Sequence, residues 1–144
     1  MPHIIRNAET DSAIARCFSV LHQLRPHLEA DSFVPRVRRQ MERGYRMAFV
    51  EVSGEVVAVA GYRVADNLAW GRFLYVDDLV TDSGHRSRGY GGHLLERLAD
   101  IARTAGCEQL HLDSGLQRVD AHRFYEAHHM ENTGYHFRLD LTAP

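Results

Sequence analysis

The chain of 144 residues contains no lysine; all 17 of its Lys and Arg positions are arginine. A Walker A phosphate loop, which needs a Gly-Lys-Ser/Thr run, is thereby excluded, and the protein has no lysine side chain of its own to modify. Cysteine is scarce: Cys17 and Cys107 stand far apart with no CxxC pattern. Buried free thiols in a reducing compartment are expected, not a disulfide framework. Long apolar runs are missing too. The longest, Val56 to Ala60, is far too short to span a bilayer, and Met1-Pro2-His3-Ile4-Ile5-Arg6 has no leader signature. A cytoplasmic protein without membrane contact is expected. Charge of one sign is lacking as well: the formal net charge of −2 offers no general attraction for nucleic acid. The basic run Arg36, Arg38, Arg39, Arg43 and Arg46 has Glu42 inside it and no interleaved aromatics, so it reads as a solvated helix face.

What is present suits one domain over residues 1–144 with one core. Ile4-Ile5-Arg6 reads as a short strand. Asp11-Ser12 offers caps for a helix carrying Ile14, Phe18 and Leu21. A second helix is predicted over Phe33 to Arg43, with Pro35 in its first turn. The period then changes to two: Arg46–Val52 and Glu55–Val64 form a hairpin about Ser53-Gly54. Asp66-Asn67 begins a loop, and Phe73–Thr81 is a third long strand that Asp82-Ser83-Gly84 ends. Gly89–Ala105 is the clearest helix, with Leu94, Leu95, Leu98, Ile101 and Ala102 in one stripe and Gly106 as its stop. A strand Gln109–Leu112, a helix from Asp120 through His128 and a closing strand Tyr135–Leu141 complete the order. The β-α-β step makes the Phe73 and Gln109 strands parallel. The expected class is α+β: a mixed, mostly antiparallel sheet with helices on both faces.

The segment Asp77-Asp78-Leu79-Val80-Thr81-Asp82-Ser83-Gly84-His85-Arg86-Ser87-Arg88-Gly89-Tyr90-Gly91-Gly92 runs from a strand through an Arg- and Gly-rich turn into a helix. Free N–H groups at a helix start, with the positive end of its dipole, make an anion site that suits a pyrophosphate. Gly89, Gly91 and Gly92 allow close approach to the backbone, and Arg86 and Arg88 add forked donors. A Rossmann fingerprint does not fit, because Leu94 stands where its third glycine is needed.

Arg86-x-x-Gly89-x-Gly91 resembles the Arg/Gln-x-x-Gly-x-Gly/Ala motif of the GCN5-related N-acetyltransferase (GNAT) superfamily. Asp77-Asp78-Leu79-Val80 is similar to the Glu-Asp-aromatic-aromatic run that precedes this loop in polyamine acetyltransferases. Arg118-Val119-Asp120-Ala121-His122-Arg123-Phe124-Tyr125 through Met130 resembles the family's Asn-x-x-Ala-x-x-Leu/Phe-Tyr-x-x-x-Gly-Phe, with Arg118 replacing asparagine and His129-Met130 replacing Gly-Phe. Gly84 and Ser87 also depart from the commonest loop residues.

The resemblance implies a GNAT-like acyl-CoA N-acyltransferase fold and transfer of acetyl from acetyl-CoA, as cosubstrate, to a primary amine of a small molecule or protein. An acyl-CoA-binding module without catalysis is the alternative. It implies cofactor contacts from the backbone of Leu79, Val80 and Thr81 and from the turn residues Arg86, Ser87, Arg88, Gly89, Gly91 and Gly92. Tyr125 takes the place of the acid that protonates the leaving thiolate. Asp77 matches the glutamate position, where a base acting through water would sit, while Asp78 is expected on the opposite strand face. His111 with Asp113 is a second candidate base pair. No metal is expected, since the ten histidines show no recognised ligand spacing. Trp70 and Tyr75 read as sheet cover, with an acceptor pocket as the other reading. In the family that pocket is built by segments matching residues 22–36 and 65–72 here. Acidic Glu29, Asp31 and Asp66 there suggest a cationic, polyamine-like acceptor, and homodimers through sheet edges are common in the family.

Overall fold

In the computed structural model, which describes residues 2–142, the chain divides into two compact units, 1–112 and 113–144. The first holds a five-stranded sheet in the order β1-β2-β3-β4-β5, with strands β1 Ile4–Asn7, β2 Arg46–Val52, β3 Glu55–Asn67, β4 Gly71–Thr81 and β5 Gln109–Leu112. The first three pairings are antiparallel and β4–β5 is parallel. The mixed sheet expected from the sequence is therefore found. Ser53 and Gly54, with φ of 51° and 82°, form the β2–β3 turn; two consecutive left-handed residues match the twist of the flanking strands.

Helices α1 Asp11–Arg16, α2 Phe18–Leu24 and α3 Ala30–Met41 lie between β1 and β2. The single helix expected after Asp11 is broken at Cys17, and its cap is Thr10, whose side chain accepts from the Ala13 N–H at 3.1 Å. Helix α3 starts three residues before its expected start, so Pro35 falls inside it rather than in its first turn. Lacking an N–H, Pro35 cannot donate to the Asp31 carbonyl.

The sheet is covered on both faces. On one, α4 Tyr90–Thr104 sets Tyr90, Leu94, Leu98 and Ala102 against Val50, Ala58, Ala60, Leu74 and Val76. On the other, Ile14, Val20, Leu21, Phe33 and Val37 of α1–α3 pack on Met47, Phe49, Val59 and Val80. Fully burying such a side chain contributes about 1.5–3 kcal/mol, so both helical layers are held chiefly by these stripes. Cys17 is buried and Cys107 partly so, both free; burial pushes the Cys17 thiol up to about 12.

The second unit contains α5 Val119–Ala127. The closing strand expected over Tyr135–Leu141 does not form: residues 130–140 carry no regular secondary structure. Its alternating Tyr135, Phe137, Leu139 and Leu141 are all exposed. The alternation supplies a strand's pattern, but a strand also needs a ladder partner for its backbone. No helix among the described residues is long and apolar enough to cross a membrane.

Candidate active site

The site grows from an irregularity in β4. Gly61 of β3 pairs with Asp78, but the next β3 residue, Tyr62, pairs with Val76. Asp77 is thus an extra residue, a β-bulge. Strict alternation would send the Asp77 and Asp78 side chains to opposite faces; the bulge brings both to the α1–α3 side, correcting that expectation. They line a pocket of about 390 Å³ together with Arg25, Arg36, Arg63, Tyr45 and apolar side chains that include Phe33 and Val37.

The Asp77 carboxylate is held by one side chain and that of Asp78 by two. Arg63 donates to both oxygens of Asp77 at 2.8 Å, a forked geometry that arginine suits. Arg25 donates from Nε to Asp78 at 3.0 Å and from a terminal nitrogen to the Asp77 carbonyl at 2.9 Å. The Tyr45 hydroxyl donates to the other Asp78 oxygen at 2.8 Å. Burial first, then the Asp78 charge, holds the Tyr45 phenol well above its ordinary range, so it stays neutral and donates. Tyr45 reaches Asp78 by crossing Gly61, where a Cβ would stand 1.7 Å from its hydroxyl oxygen.

Past the bulge, β4 leaves β5. The β4–β5 ladder ends at Val76–Leu112, whereas β4 stays paired with β3 as far as Thr81. The Asp82 N–H bonds the Val57 carbonyl at 2.8 Å. Alternation along an antiparallel pair then turns the Val80 N–H toward Val59, and those of Leu79 and Thr81 away from β3 to the side that β5 has vacated. The Val80 side chain is buried among α1–α3 residues.

Asp82 organises the turn that follows. Its carboxylate accepts from Gln23 at 2.7 Å and from the Gly84 N–H at 3.1 Å, and lies 2.7 Å from His85 Nδ1. Gln23 in turn accepts from the Ser83 N–H at 3.0 Å. These bonds, that of Gln23 foremost and His85 next, lower the Asp82 carboxyl below its ordinary range. Ser87 and Gly89 take left-handed φ of 63° and 84°, and Gly89 is the N-cap of α4 with no side-chain cap bond. The N–H groups of Tyr90, Gly91 and Gly92 thus open α4 without an intrahelical acceptor. Arg86 and Arg88 are exposed. Outward strand amides, an uncapped helix start of 15 residues and two arginines fit the amide arm and diphosphate of acetyl-CoA.

Among the other residues singled out from sequence, Tyr125 lies on α5 in the second unit, where burial raises its phenol and Arg118 partly offsets this. His111 stacks on Trp70 with ring centroids 3.5 Å apart. Asp113 lies past the end of β5, with one oxygen 3.5 Å from His136 Nδ1. Tyr75 carries the Arg63 guanidinium 5.4 Å above its ring. Neither Trp70 nor Tyr75 lines the pocket, nor do Glu29, Asp31 and Asp66. Segment 22–36 does line it, but 65–72 does not. Sequence reading missed Arg25, Arg63 and Tyr45, whose partners are distant in the chain. Among the described residues no group of three or more His, Cys, Asp or Glu side chains is gathered to hold a metal.

Known proteins agree with this architecture. The profile of the Acetyltransferase (GNAT) family matches residues 9–130. The chain is 35% identical over 112 residues to an uncharacterized N-acetyltransferase, YhdJ, of Bacillus subtilis (strain 168), covering 77% of this chain and 79% of that protein. The fold matches glucosamine-6-phosphate N-acetyltransferase of Arabidopsis thaliana with TM-score 0.79 at 21% identity, over 98% of this chain and 99% of that one. It matches the aminoglycoside N-acetyltransferase AAC(6')-Iy in complex with CoA with TM-score 0.85 at 13% identity, over 99% and 96%. The chain belongs to the acetyltransferase (GNAT) family and is an acetyl-CoA-dependent N-acetyltransferase.

Proposed function

We propose that the vacated edge of β4 and the turn into α4 hold acetyl-CoA, and that the pocket at the bulge receives the amine. The observation that carries this is the early end of the β4–β5 ladder at Val76–Leu112, which turns the Leu79 and Thr81 amides outward next to an Arg- and Gly-rich helix start. Acetyl-CoA supplies an activated acetyl thioester. The chain's own groups do the rest. Leu79 and Thr81 bond the pantetheine arm through their N–H groups, and the Leu79 N–H, nearest the bulge, steadies charge that develops on the thioester oxygen. Val80 anchors the strand between them. Arg86, Ser87, Arg88 and the N–H groups from Gly89 to Gly92 grip the diphosphate.

The amine must shed a proton before it attacks. Both Asp77 oxygens accept from Arg63, so Asp77 takes that proton through a water rather than by direct contact. Tyr125 protonates the departing thiolate, a role it takes from its motif. Its raised phenol keeps the proton as pH rises through the ordinary tyrosine value of 10 and loses it only above that.

A thiol-release assay with a panel of amines tests this reading. Tyr125→Phe is expected to lower kcat by roughly a hundredfold, within the range of general acid catalysis, with acetyl-CoA affinity unchanged. Turnover equal to wild type at every pH would remove Tyr125 from the mechanism. The two free cysteines also favour a reducing compartment such as the cytoplasm.

A further inference from the structure

The pocket's charges do not match the cationic acceptor suggested by the acidic residues in the sequence. Its floor is balanced: Asp77 is committed to Arg63, and Asp78 to Arg25 and the neutral Tyr45 hydroxyl. A third guanidinium, that of Arg36, also lines the pocket, and among the described residues no acidic side chain or carbonyl bonds it. Arg36 lies on the exposed side of α3, and the other polar lining groups without a charge partner, His27 and Gln40, are exposed as well. The pocket therefore has a charge-balanced floor and a rim with one spare positive charge and further donors.

We propose that the acceptor is an amine that also carries an oxyanion, its amine directed to Asp77 and its carboxylate or phosphate to Arg36 at the rim. The inference rests on the reading of this pocket as the amine site. A balanced floor has no surplus negative charge to hold an ammonium ion, which favours entry of the neutral, nucleophilic form. A spare guanidinium attracts an anionic tail through charge-assisted, forked hydrogen bonds. The same guanidinium repels a second ammonium, so a diamine is discriminated against by repulsion as well as by the missing bond. A volume of about 390 Å³ suits an acceptor the size of an amino acid or amino sugar.

The test compares kcat/KM for four sets of short amines of matching chain length: ω-amino acids, aminoalkyl phosphates, plain alkylamines and diamines. Wild-type protein is expected to prefer one of the anionic sets over alkylamines by roughly tenfold, the worth of one hydrogen bond to a charged group, and to use diamines least. The preferred anionic set identifies the oxyanion. Arg36→Gln should erase that preference by raising KM for anionic amines, and Arg36→Glu should invert it toward diamines. Acetyl-CoA affinity should stay at the wild-type level in both variants, and the loss in Arg36→Gln should fall more heavily on the anionic sets than on alkylamines. Preference for diamines in the wild type, or an equal loss on all four sets in Arg36→Gln, would overturn the proposal. Turnover of no set while acetyl-CoA binds would also overturn it. If acetyl-CoA itself fails to bind, the cofactor reading falls, and the acceptor proposal falls with it.

Discussion

Gly61 has a single task that no other residue can perform: it leaves room for a phenol. Tyr45 crosses β3 there to reach Asp78. In Gly61→Ala the new methyl would meet Tyr45 backed by a packed layer, so the ring must leave its place. The expected cost is about 3 kcal/mol, combining overpacking with the lost Asp78 hydrogen bond. Chemical denaturation checks this, and the same substitution in a Tyr45→Ala background should cost distinctly less, because the clashing ring is gone. Equal costs in the two backgrounds would show that the contact does not govern the position. The neighbouring carboxylates differ in setting: Asp77 is locked to one flexible, half-exposed arginine, while Asp78 is braced from two elements. Asp77 is accordingly the one that can adjust to a substrate.

At the scale of elements, the bulge and the early parting from β5 give β4 two functions along one strand. Residues 73–76 are ordinary sheet, Asp77 and Asp78 face the pocket, and Leu79 and Thr81 turn their N–H groups outward. The turn beyond is tied to α2 by the Gln23–Asp82 pair. Its pH response follows from the lowered Asp82 carboxyl. A group whose folded value lies below its unfolded value near 3.8 contributes fully above that value, and the contribution is lost as pH falls through the lowered folded one. Acetyl-CoA affinity is therefore expected to hold from neutrality down into the ordinary carboxylate range, as far as this turn governs it, and Asp82→Asn should weaken binding already at neutral pH. Calorimetry across pH checks both; a variant that binds as wild type does would show that Asp82 does not order the turn.

Across the whole molecule, the residues legible in sequence were those whose signal is local. The Ser53-Gly54 hairpin, the Leu94–Leu98–Ala102 stripe and the Arg86–Gly92 turn each announce themselves within a few positions, and the parallel β4–β5 pair follows from the helix between its strands. The remainder depends on distant partners. Nothing near Asp77 signals the bulge, which is defined by register against Gly61 and Tyr62. The pairing of Arg25 with Asp78 spans 53 positions and that of Tyr45 with Asp78 spans 33, beyond the reach of any periodicity. The added first turn of α3, Ala30 to Ser32, is exposed and so lies outside the apolar stripe that marks the rest of the helix. Tyr135–Leu141 errs the other way, with a clear alternating pattern and no ladder to join.

The central claim is that the donors of Leu79, Thr81 and the start of α4 are offered to acetyl-CoA. Amide hydrogen exchange, followed residue by residue by NMR with and without coenzyme A, tests it most directly. Leu79, Thr81, Gly91 and Gly92 should exchange markedly more slowly when coenzyme A is present, while Val80, already bonded toward Val59, should change little. Unaltered exchange at Leu79 and Thr81 under saturating coenzyme A would contradict the account.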